Sequence, residues 1–188
     1  NKLNLPYDVP ANQYQTVKGG KASTSRNTAI WLSDFLSRYD PDALRYYLSA
    51  NMPESADVDF TWYDFVRRNN DELVAAWGNL IHRVLTFTQS HFNGVVPRYD
   101  ELNNNDEELI KLAKNSVDKV GRNIAKCNFR AGLEEAMTSA REANRYLENQ
   151  APWKLIKDDP NRCAAVIYTV IATIDIIKIA FYPYLPFT

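Results

Sequence analysis

The sequence has 188 residues, of which 45% are hydrophobic and 24% are charged. This length suits about one globular domain, and the composition excludes a disordered chain or a fibre. The charges nearly balance, since 22 Lys and Arg face 23 Asp and Glu and leave a net charge of −1. Such a chain is not expected to hold a nucleic acid by bulk positive charge, whereas a local basic face remains possible.

The cysteines and histidines indicate neither a disulfide framework nor a metal site. Cys127 and Cys163 are too few and too far apart for a framework or a CxxC site. The two histidines lack the spacing of a metal-ligand motif, so we predict no metal site. The first residues lack the apolar region of a signal peptide, so none is predicted. The first residue is Asn rather than Met, which suggests a piece of a longer protein.

One apolar stretch, residues 164–181, is long enough to cross a membrane. Asp175 and Lys178 lie inside it, and a charge near the centre of a membrane helix costs about 2.5–3.5 kcal/mol. The stretch therefore predicts a buried helix at the centre of a bundle and no membrane partner.

The first 60 residues change in character along their length. Pro and Gly punctuate residues 1–26, which predicts a loop with a strand pair around Gln13–Val17. A first short helix is predicted to place Ile30, Leu32, Phe35 and Leu36 on one apolar face. Asp40-Pro41 has the N-cap and N1 residues of a second helix, which Pro53 ends before a connector to Asp59.

The remaining residues carry helical periodicity. A long helix is predicted over Thr61–Phe92, and the polar run Asn103–Asp106 is expected to cap the next one. Two more follow, one carrying the apolar series Phe129–Leu147 and one over Asn161–Phe181, separated by a break at Ala151-Pro152-Trp153. Helices of this length with short breaks predict an all-α bundle around one core.

The loop Lys18–Arg26 reads KGGKASTSR and precedes the first helix. Glycines beside a lysine and three hydroxyls suit a phosphate group, because backbone N–H, ammonium and hydroxyl donors can converge on it. The spacing differs from a Walker loop. By composition alone, an ordinary solvated surface loop is the simpler interpretation.

Lys21-Ala22-Ser23-Thr24-Ser25 resembles the KMSKS signature of class I aminoacyl-tRNA synthetases. The surrounding sequence resembles the methionyl-tRNA synthetases in five blocks that follow in order: ANQY (11–14), DALRYYL (42–48), NDEL (70–73), GNLIHR (78–83) and NQAPW (149–153). The resemblance covers essentially the whole chain.

The resemblance implies a division into two parts. Residues 1–58 would be the loop-rich end of an α/β catalytic domain with linking helices, and residues 59–188 an anticodon-binding helical bundle. It further implies a cytoplasmic ATP-dependent methionine–tRNA ligase, whose partners are the rest of the catalytic domain and the methionine tRNA with its CAU anticodon.

The resemblance also implies roles for individual residues. Lys21, Ser23, Thr24 and Ser25 would face the phosphates of ATP, which is used with Mg²⁺ in the full-length enzyme. Two departures from the family pattern matter. Thr24 stands where the family usually has Lys and brings no charge, and the HIGH signature is missing from this sequence. This chain alone is therefore expected to bind no cofactor and to activate no methionine.

In the bundle the resemblance points to Asn79, Arg83 and Trp153 as anticodon contacts. The chemistry and spacing of these side chains support the same assignment. Asn79 and Arg83 are four residues apart on one helix face and can present several hydrogen-bond donors to base edges. Trp153 follows a proline break and could serve as a stacking platform. From the residues alone, a core tryptophan and a solvated arginine remain open alternatives.

Other candidates have simpler interpretations. Trp62, Trp77 and the pair Tyr46-Tyr47 are predicted in the core, and the two histidines at ordinary surface positions. The neighbours Arg67 and Arg68 could equally touch phosphates or solvate the helix. A different class of function, a non-enzymatic helical module that binds another protein, would leave the form of the Lys21–Arg26 loop unexplained.

Overall fold

The structure, a computed structural model, describes residues 4–23, 25 and 28–188. The chain forms a mostly helical bundle behind a small sheet, so the predicted all-α fold is confirmed. The strands are β1 (Gln15–Val17), β2 (Gly20–Lys21) and β3 (Val58–Phe60). The helices are α1 (Leu32–Leu36), α2 (Pro41–Ala50), α3 (Trp62–Arg68), α4 (Asn79–Phe92), α5 (Asn104–Ala125), α6 (Phe129–Gln150), α7 (Pro152–Asp158) and α8 (Pro160–Phe181).

Two helices begin at the caps that the sequence indicates. The Asp40 carboxylate accepts a hydrogen bond from the Asp42 amide at 2.7 Å, and Pro41 occupies the first position of α2. Asn103 and Asp106 form a reciprocal capping box at α5, with bonds of 3.1 and 2.9 Å. These caps satisfy amide groups that have no partner inside the helix, and hence they fix where each helix starts.

The long helix predicted over Thr61–Phe92 is present but not uniform. A π-helical segment, Asn69–Gly78, joins α3 to α4 without a break. Its wider hydrogen-bonding pattern is supported from a neighbouring helix, because the Asn144 amide donates to the Ala76 carbonyl at 2.9 Å. The apolar periodicity did not indicate this segment. Such segments are rare and often lie beside functional sites.

The main core is built around α8, which packs against α5, α6, α4 and α7. Its buried side chains include Val166, Val170 and Ile177, each of which contributes about 1.5–3 kcal/mol by burial. Within the described residues, α8 is also a helix long and apolar enough to cross a membrane. Its place at the centre of the bundle accounts for that composition, as the sequence analysis predicts.

A second, aromatic cluster lies beside the sheet and consists of Phe35, Tyr47, Phe60 and Phe65. Helix α2 connects the two apolar regions, since Tyr46 belongs to the main core and its neighbour Tyr47 to the aromatic cluster.

Several predictions for individual apolar residues fail in the N-terminal part. Trp62 stacks on Phe35 but keeps 45% of its surface exposed, so its assignment to the core was wrong, whereas those of Trp77 and the two tyrosines were right. Leu32 and Leu36 are also exposed, because the aromatic cluster covers only the Phe35 side of α1.

The sheet was predicted only in part. The strand pair β1–β2 is antiparallel, as expected, but β1 also pairs in parallel with β3. Strand β3 lies at the end of the stretch that the sequence analysis treats as a connector. The sheet order is thus β2-β1-β3.

Candidate nucleic-acid interface

The hairpin of β1 and β2 turns through Lys18 and Gly19, whose φ angles are +54° and +71°. Two consecutive positive φ values are typical of the tight turn that matches the twist of a two-residue hairpin. The Asp59 carboxylate on β3 accepts hydrogen bonds from the Thr16 hydroxyl at 2.7 Å and the Gly19 amide at 2.9 Å. Asp59 therefore fixes the hairpin from the neighbouring strand. No motif pointed to Asp59 as a functional residue, although the alternation Val58-Asp59-Phe60 could have indicated a strand.

The KMSKS-like loop leaves the sheet at Lys21, which is exposed at the end of β2. The Ser23 amide donates to the Thr28 hydroxyl at 3.1 Å, and the Thr28 amide donates back to the Ser23 carbonyl at 3.0 Å. The Ser23 and Ser25 hydroxyls lie 3.1 Å apart. The predicted residue Thr24 and the neighbouring Arg26 lie outside the described residues. The described part of the loop thus carries an ammonium group and two hydroxyls, which are kinds of group that can donate hydrogen bonds to an anion.

The structure brings Arg83 and Trp153 together. The guanidinium carbon of Arg83, on α4, lies 5.4 Å from the ring centroid of Trp153, on α7. This geometry is typical of a cation–π contact. The indole keeps 41% of its surface exposed. The alternative of a fully buried core tryptophan is therefore wrong, and one part of the ring remains open to a ligand.

The turn that carries Trp153 is fixed from both sides. Ala151 ends α6 in a left-handed conformation with φ +45°, and Pro152 begins α7. The Cys163 thiol donates to the Pro152 carbonyl at 3.4 Å, and the Arg162 guanidinium donates to the Gln150 side chain at 2.8 Å. Burial raises the pKa of Cys163 to about 11, so the thiol keeps its proton and remains a donor at neutral pH.

Asn79 lies one helical turn before Arg83, at the first position of α4, and is exposed. Residues four apart are neighbours on a helix surface, so Asn79 and Arg83 share one side of α4. The backbone amide of Asn79 donates to the Val74 carbonyl, so Asn79 also closes the hydrogen bonding of the π-helical segment. The structure thus brings Arg83 and Trp153 into contact and places Asn79 one turn before Arg83 on α4, whereas the KMSKS-like loop follows β2.

Glu148 is a member of this face that the sequence did not indicate. Its carboxylate forms an ion pair with the Arg83 guanidinium at 2.7 Å. The two residues are far apart in the chain and belong to different helices, and hence no local spacing predicts the contact. The ion pair and the indole together orient the guanidinium.

An open cavity of about 330 Å³ continues from Arg83 and Trp153 along α4. Phe87, Leu147 and Pro152 give it apolar walls, and Ser90 and His91 are among its polar lining residues. A largely apolar recess with a few polar groups at its edge is the usual form of a ligand site.

The paired arginines Arg67 and Arg68 have a structural role. Both form ion pairs with Asp64 and with Glu72. Burial alone would raise the pKa of Asp64, but the hydrogen bonds from the two arginines outweigh it and hold that pKa below its usual value. Their charges are therefore largely engaged within the helix. Among the described residues, no cluster of three or more His, Cys, Asp or Glu side chains could hold a metal ion.

Two family models of known proteins match successive parts of the chain. Residues 1–85 match the family model of class I tRNA synthetases (M), and residues 96–188 match that of the anticodon binding domain of methionyl tRNA ligase. The chain belongs to the methionyl-tRNA synthetase family. The resemblance predicted from the sequence is thereby confirmed.

The curated methionyl-tRNA synthetase relatives are substantially longer. The methionine–tRNA ligase of Chloroflexus aurantiacus is 48% identical over 186 residues, which cover 99% of this chain and 31% of the relative. That of Dehalococcoides mccartyi is 51% identical over 184 residues, which cover 98% of this chain and 33% of the relative. The chain spans about a third of the length of the curated relatives it matches.

Solved methionyl-tRNA synthetases share the fold. The Mycobacterium tuberculosis enzyme bound by methionyl-adenylate superposes with a TM-score of 0.86 at 22% identity, covering 92% of this chain and 35% of that one. The apo form of the same enzyme gives a TM-score of 0.74 at 26% identity, covering 78% of this chain and 30% of that one.

Proposed function

We propose that this chain is the anticodon-recognising part of a methionine–tRNA ligase and that it binds the CAU anticodon of the methionine tRNA through Asn79, Arg83 and Trp153. One observation carries the proposal. An exposed indole and a guanidinium face each other across α7 and α4 at 5.4 Å, and an exposed amide lies one turn away.

Each of the three side chains suits a different part of an unstacked base. The Trp153 ring can stack on the face of a base of any identity. The Asn79 amide has an acceptor and two donors in one plane, which suits the edge of a base. The Arg83 guanidinium can stack or donate, and its charge also attracts the phosphate backbone.

The KMSKS-like loop is proposed to face the phosphates of ATP in the full-length enzyme. Lys21 would supply charge, and the hydroxyls of Ser23, Thr24 and Ser25 would supply hydrogen-bond donors. ATP is used there with Mg²⁺, for which we assign no residue of this chain. The full-length enzyme would activate methionine with ATP and transfer it to the tRNA, in the cytoplasm.

The proposed division places the boundary between residues 1–58 and 59–188. The first part would pack on the rest of the catalytic domain, and the exposed indole of Trp31 at the start of α1 supports such a contact. This chain by itself is proposed to be inactive in methionine activation, because the sequence lacks a HIGH signature. The alternative of a protein-interaction module is not favoured, since the match to an anticodon-binding domain gives the helical part another role.

The proposal is tested with synthetic anticodon stem-loops and the full chain. The wild-type protein should bind the CAU loop more tightly than loops in which one anticodon base is changed. Trp153→Ala should weaken binding of the CAU loop by about 1–3 kcal/mol, because one stacked base loses its platform. Trp31→Ala serves as the matched control, since Trp31 is also exposed but lies at α1. Equal affinity of the wild-type protein for all loops would refute the proposal.

A further inference from the structure

Asp59, Thr16 and Lys21 form one row across the sheet. Thr16 on β1 is the register partner of Lys21 on β2 and also of Asp59 on β3. Register partners on adjoining strands have their side chains on the same face of a sheet. One face of this sheet therefore carries, in order, a carboxylate, a hydroxyl and the lysine of the KMSKS-like loop.

The carboxylate of Asp59 holds two parts of the hairpin at once. Its Oδ1 atom accepts hydrogen bonds from the Thr16 hydroxyl at 2.7 Å and from the Gly19 amide at 2.9 Å. Lys18 and Gly19 are the two central residues of the turn. The closing hydrogen bond of such a turn joins the residues on either side of the central pair. The Gly19 amide therefore takes its partner from the neighbouring strand, and Asp59 fixes the turn as well as β1.

The end of β3 gives this contact a firm support. Phe60, the residue after Asp59, is 6% exposed and packs edge-on to Tyr47 with the ring centroids 5.1 Å apart. Thr61 then caps α3 by accepting a hydrogen bond from the Asp64 amide at 3.1 Å. Asp59 is thus followed directly by a buried ring and the start of a helix, whereas the hairpin turn that it holds is exposed.

We propose that Asp59 is a positioning residue for adenylate formation, which sets the place of Lys21 by fixing the hairpin that leads to it. The inference rests on the proposed function, because it takes Lys21 to face the phosphates of ATP. Strands lie about 4.8 Å apart in a sheet, so two such intervals separate the backbones of Asp59 and Lys21. Asp59 therefore acts through β1 and the turn and not on the substrate itself.

The position of Lys21 matters because of when its charge is needed. Phosphate charge develops in the transition state, and a donor stabilises it best when the donor is already in place. A misplacement of about 1 Å can lower a rate by about 100-fold. Without the Asp59 carboxylate, the Thr16 hydroxyl and the Gly19 amide lose their acceptor, and the turn is no longer fixed from β3. Loss of Asp59 is thus expected to reduce turnover.

The test measures methionine-dependent pyrophosphate exchange in the full-length enzyme. Asp59→Ala removes the acceptor, and we expect kcat to fall by about 10- to 100-fold, with a smaller change in the KM for methionine. Asp59→Asn keeps an acceptor oxygen and should retain most of the activity. Asp57→Ala is the matched control and should leave kcat near that of the wild type. Its carboxylate also accepts a backbone amide, that of Tyr14 at 2.9 Å, but Tyr14 precedes β1 and lies outside the hairpin.

A double variant shows whether Asp59 acts through Lys21. In an enzyme that already carries Lys21→Ala, the further change Asp59→Ala should cause little additional loss of kcat, because the effects of residues that act as a unit do not add. A general loss of folded enzyme would instead lower kcat by the same factor with and without Lys21. The ratio of the two factors therefore separates positioning from a merely structural role.

The outcomes distinguish this inference from the proposed function. If Lys21→Ala lowers kcat while Asp59→Ala behaves like Asp57→Ala, the positioning role is wrong and the role of the loop stands. Equal factors with and without Lys21 would overturn the positioning role too, and so would an Asp59→Asn enzyme as slow as Asp59→Ala. If Lys21→Ala leaves kcat unchanged, the proposed contact with ATP fails and the inference fails with it.

A second variant covers the case in which Asp59→Ala does not fold, as a melting curve would show. Thr16→Val removes one of the two hydrogen bonds to Asp59 and keeps a β-branched side chain, which suits a strand. We expect it to lower kcat in the same assay, by less than Asp59→Ala would. An unchanged kcat in a folded Thr16→Val enzyme would overturn the positioning role.

Discussion

Arg162 donates hydrogen bonds to both carboxylate oxygens of Asp106, at 2.5 and 2.8 Å. Asp106 is fully buried at the start of α5 and also accepts a bond from the Tyr146 hydroxyl. The same guanidinium donates to Gln150, which precedes the turn of Trp153. One ion pair thereby connects the beginnings of α5 and α8 with the end of α6.

We expect Arg162→Met to lower the free energy of unfolding by about 3–5 kcal/mol. The variant leaves the Asp106 carboxylate buried without its counter-ion, and removal of one partner of a buried pair costs this much. Urea denaturation measures the loss. Arg145→Met is the matched control, because Arg145 pairs with Glu142 at the surface and should cost less than about 1 kcal/mol. Equal losses in both variants would contradict the assigned role.

The same pair predicts how stability depends on pH. Burial alone would raise the pKa of Asp106, but hydrogen bonds from Arg162 and Tyr146 outweigh it and hold that pKa below its usual value. The unfolded state, with a carboxyl pKa of about 3.9, takes up a proton first as the pH falls. The stability from this pair is thus complete above about pH 5 and is lost as the pH falls through the lower folded pKa.

In Arg162→Met, burial is no longer opposed by the guanidinium, and the folded pKa of Asp106 should rise. The difference in unfolding free energy between wild type and variant should therefore narrow on acidification from pH 7 to pH 3. Urea titrations at a series of pH values measure it. A difference that stays constant over this range would refute the linkage.

Asn79→Ala should reduce the discrimination between anticodons more than the affinity for all of them. A wrong base leaves the planar amide unpaired in a partly dry site, and this penalty disappears with the amide. The measurement is the ratio of dissociation constants for CAU and for a loop changed at the first position. Trp153→Ala should weaken both complexes and keep the ratio, since an indole accepts any base. If Asn79→Ala keeps the wild-type ratio of the two dissociation constants, another residue recognises the base.

Glu148→Gln should increase the affinity for the stem-loop. The substitution frees Arg83 from its ion pair and removes a negative charge beside the RNA, so that the backbone is attracted more strongly. The gain should be larger at low than at high salt, which titrations at two ionic strengths can show. Glu142→Gln, in the surface pair with Arg145, provides the comparison. A gain that is independent of salt would argue against the electrostatic cause.

Lys21→Ala in the full-length enzyme should lower kcat far more than it raises the KM for methionine. Phosphate charge develops in the transition state of adenylate formation, and an interaction made mainly there affects turnover. Steady-state pyrophosphate exchange separates the two constants. Lys18→Ala is a control in the adjoining hairpin turn. A loss confined to the KM for methionine would contradict the proposed contact with the phosphates of ATP.

The sequence alone determined those features that depend on neighbours in the chain. The caps Asp40-Pro41 and Asn103–Asp106 lie where the spacing of a donor amide and an acceptor side chain requires them. The apolar periodicity of α5, α6 and α8 likewise predicted the bundle, because one helix side must be buried. The candidates Asn79 and Arg83 could be placed on one face for the same reason.

Only the tertiary structure decided which distant residues meet. The pairing of β1 with β3, and hence the role of Asp59, depends on backbone partners about 43 residues apart. The ion pair of Arg83 with Glu148 and the position of Trp153 beside it join three helices, and no local pattern encodes such contacts. Trp62 stayed exposed for a related reason, since the aromatic residues packed around Phe35 leave its outer face uncovered. Local hydrogen bonds and periodicity act within a few residues, whereas burial and charge pairing depend on how the whole chain packs.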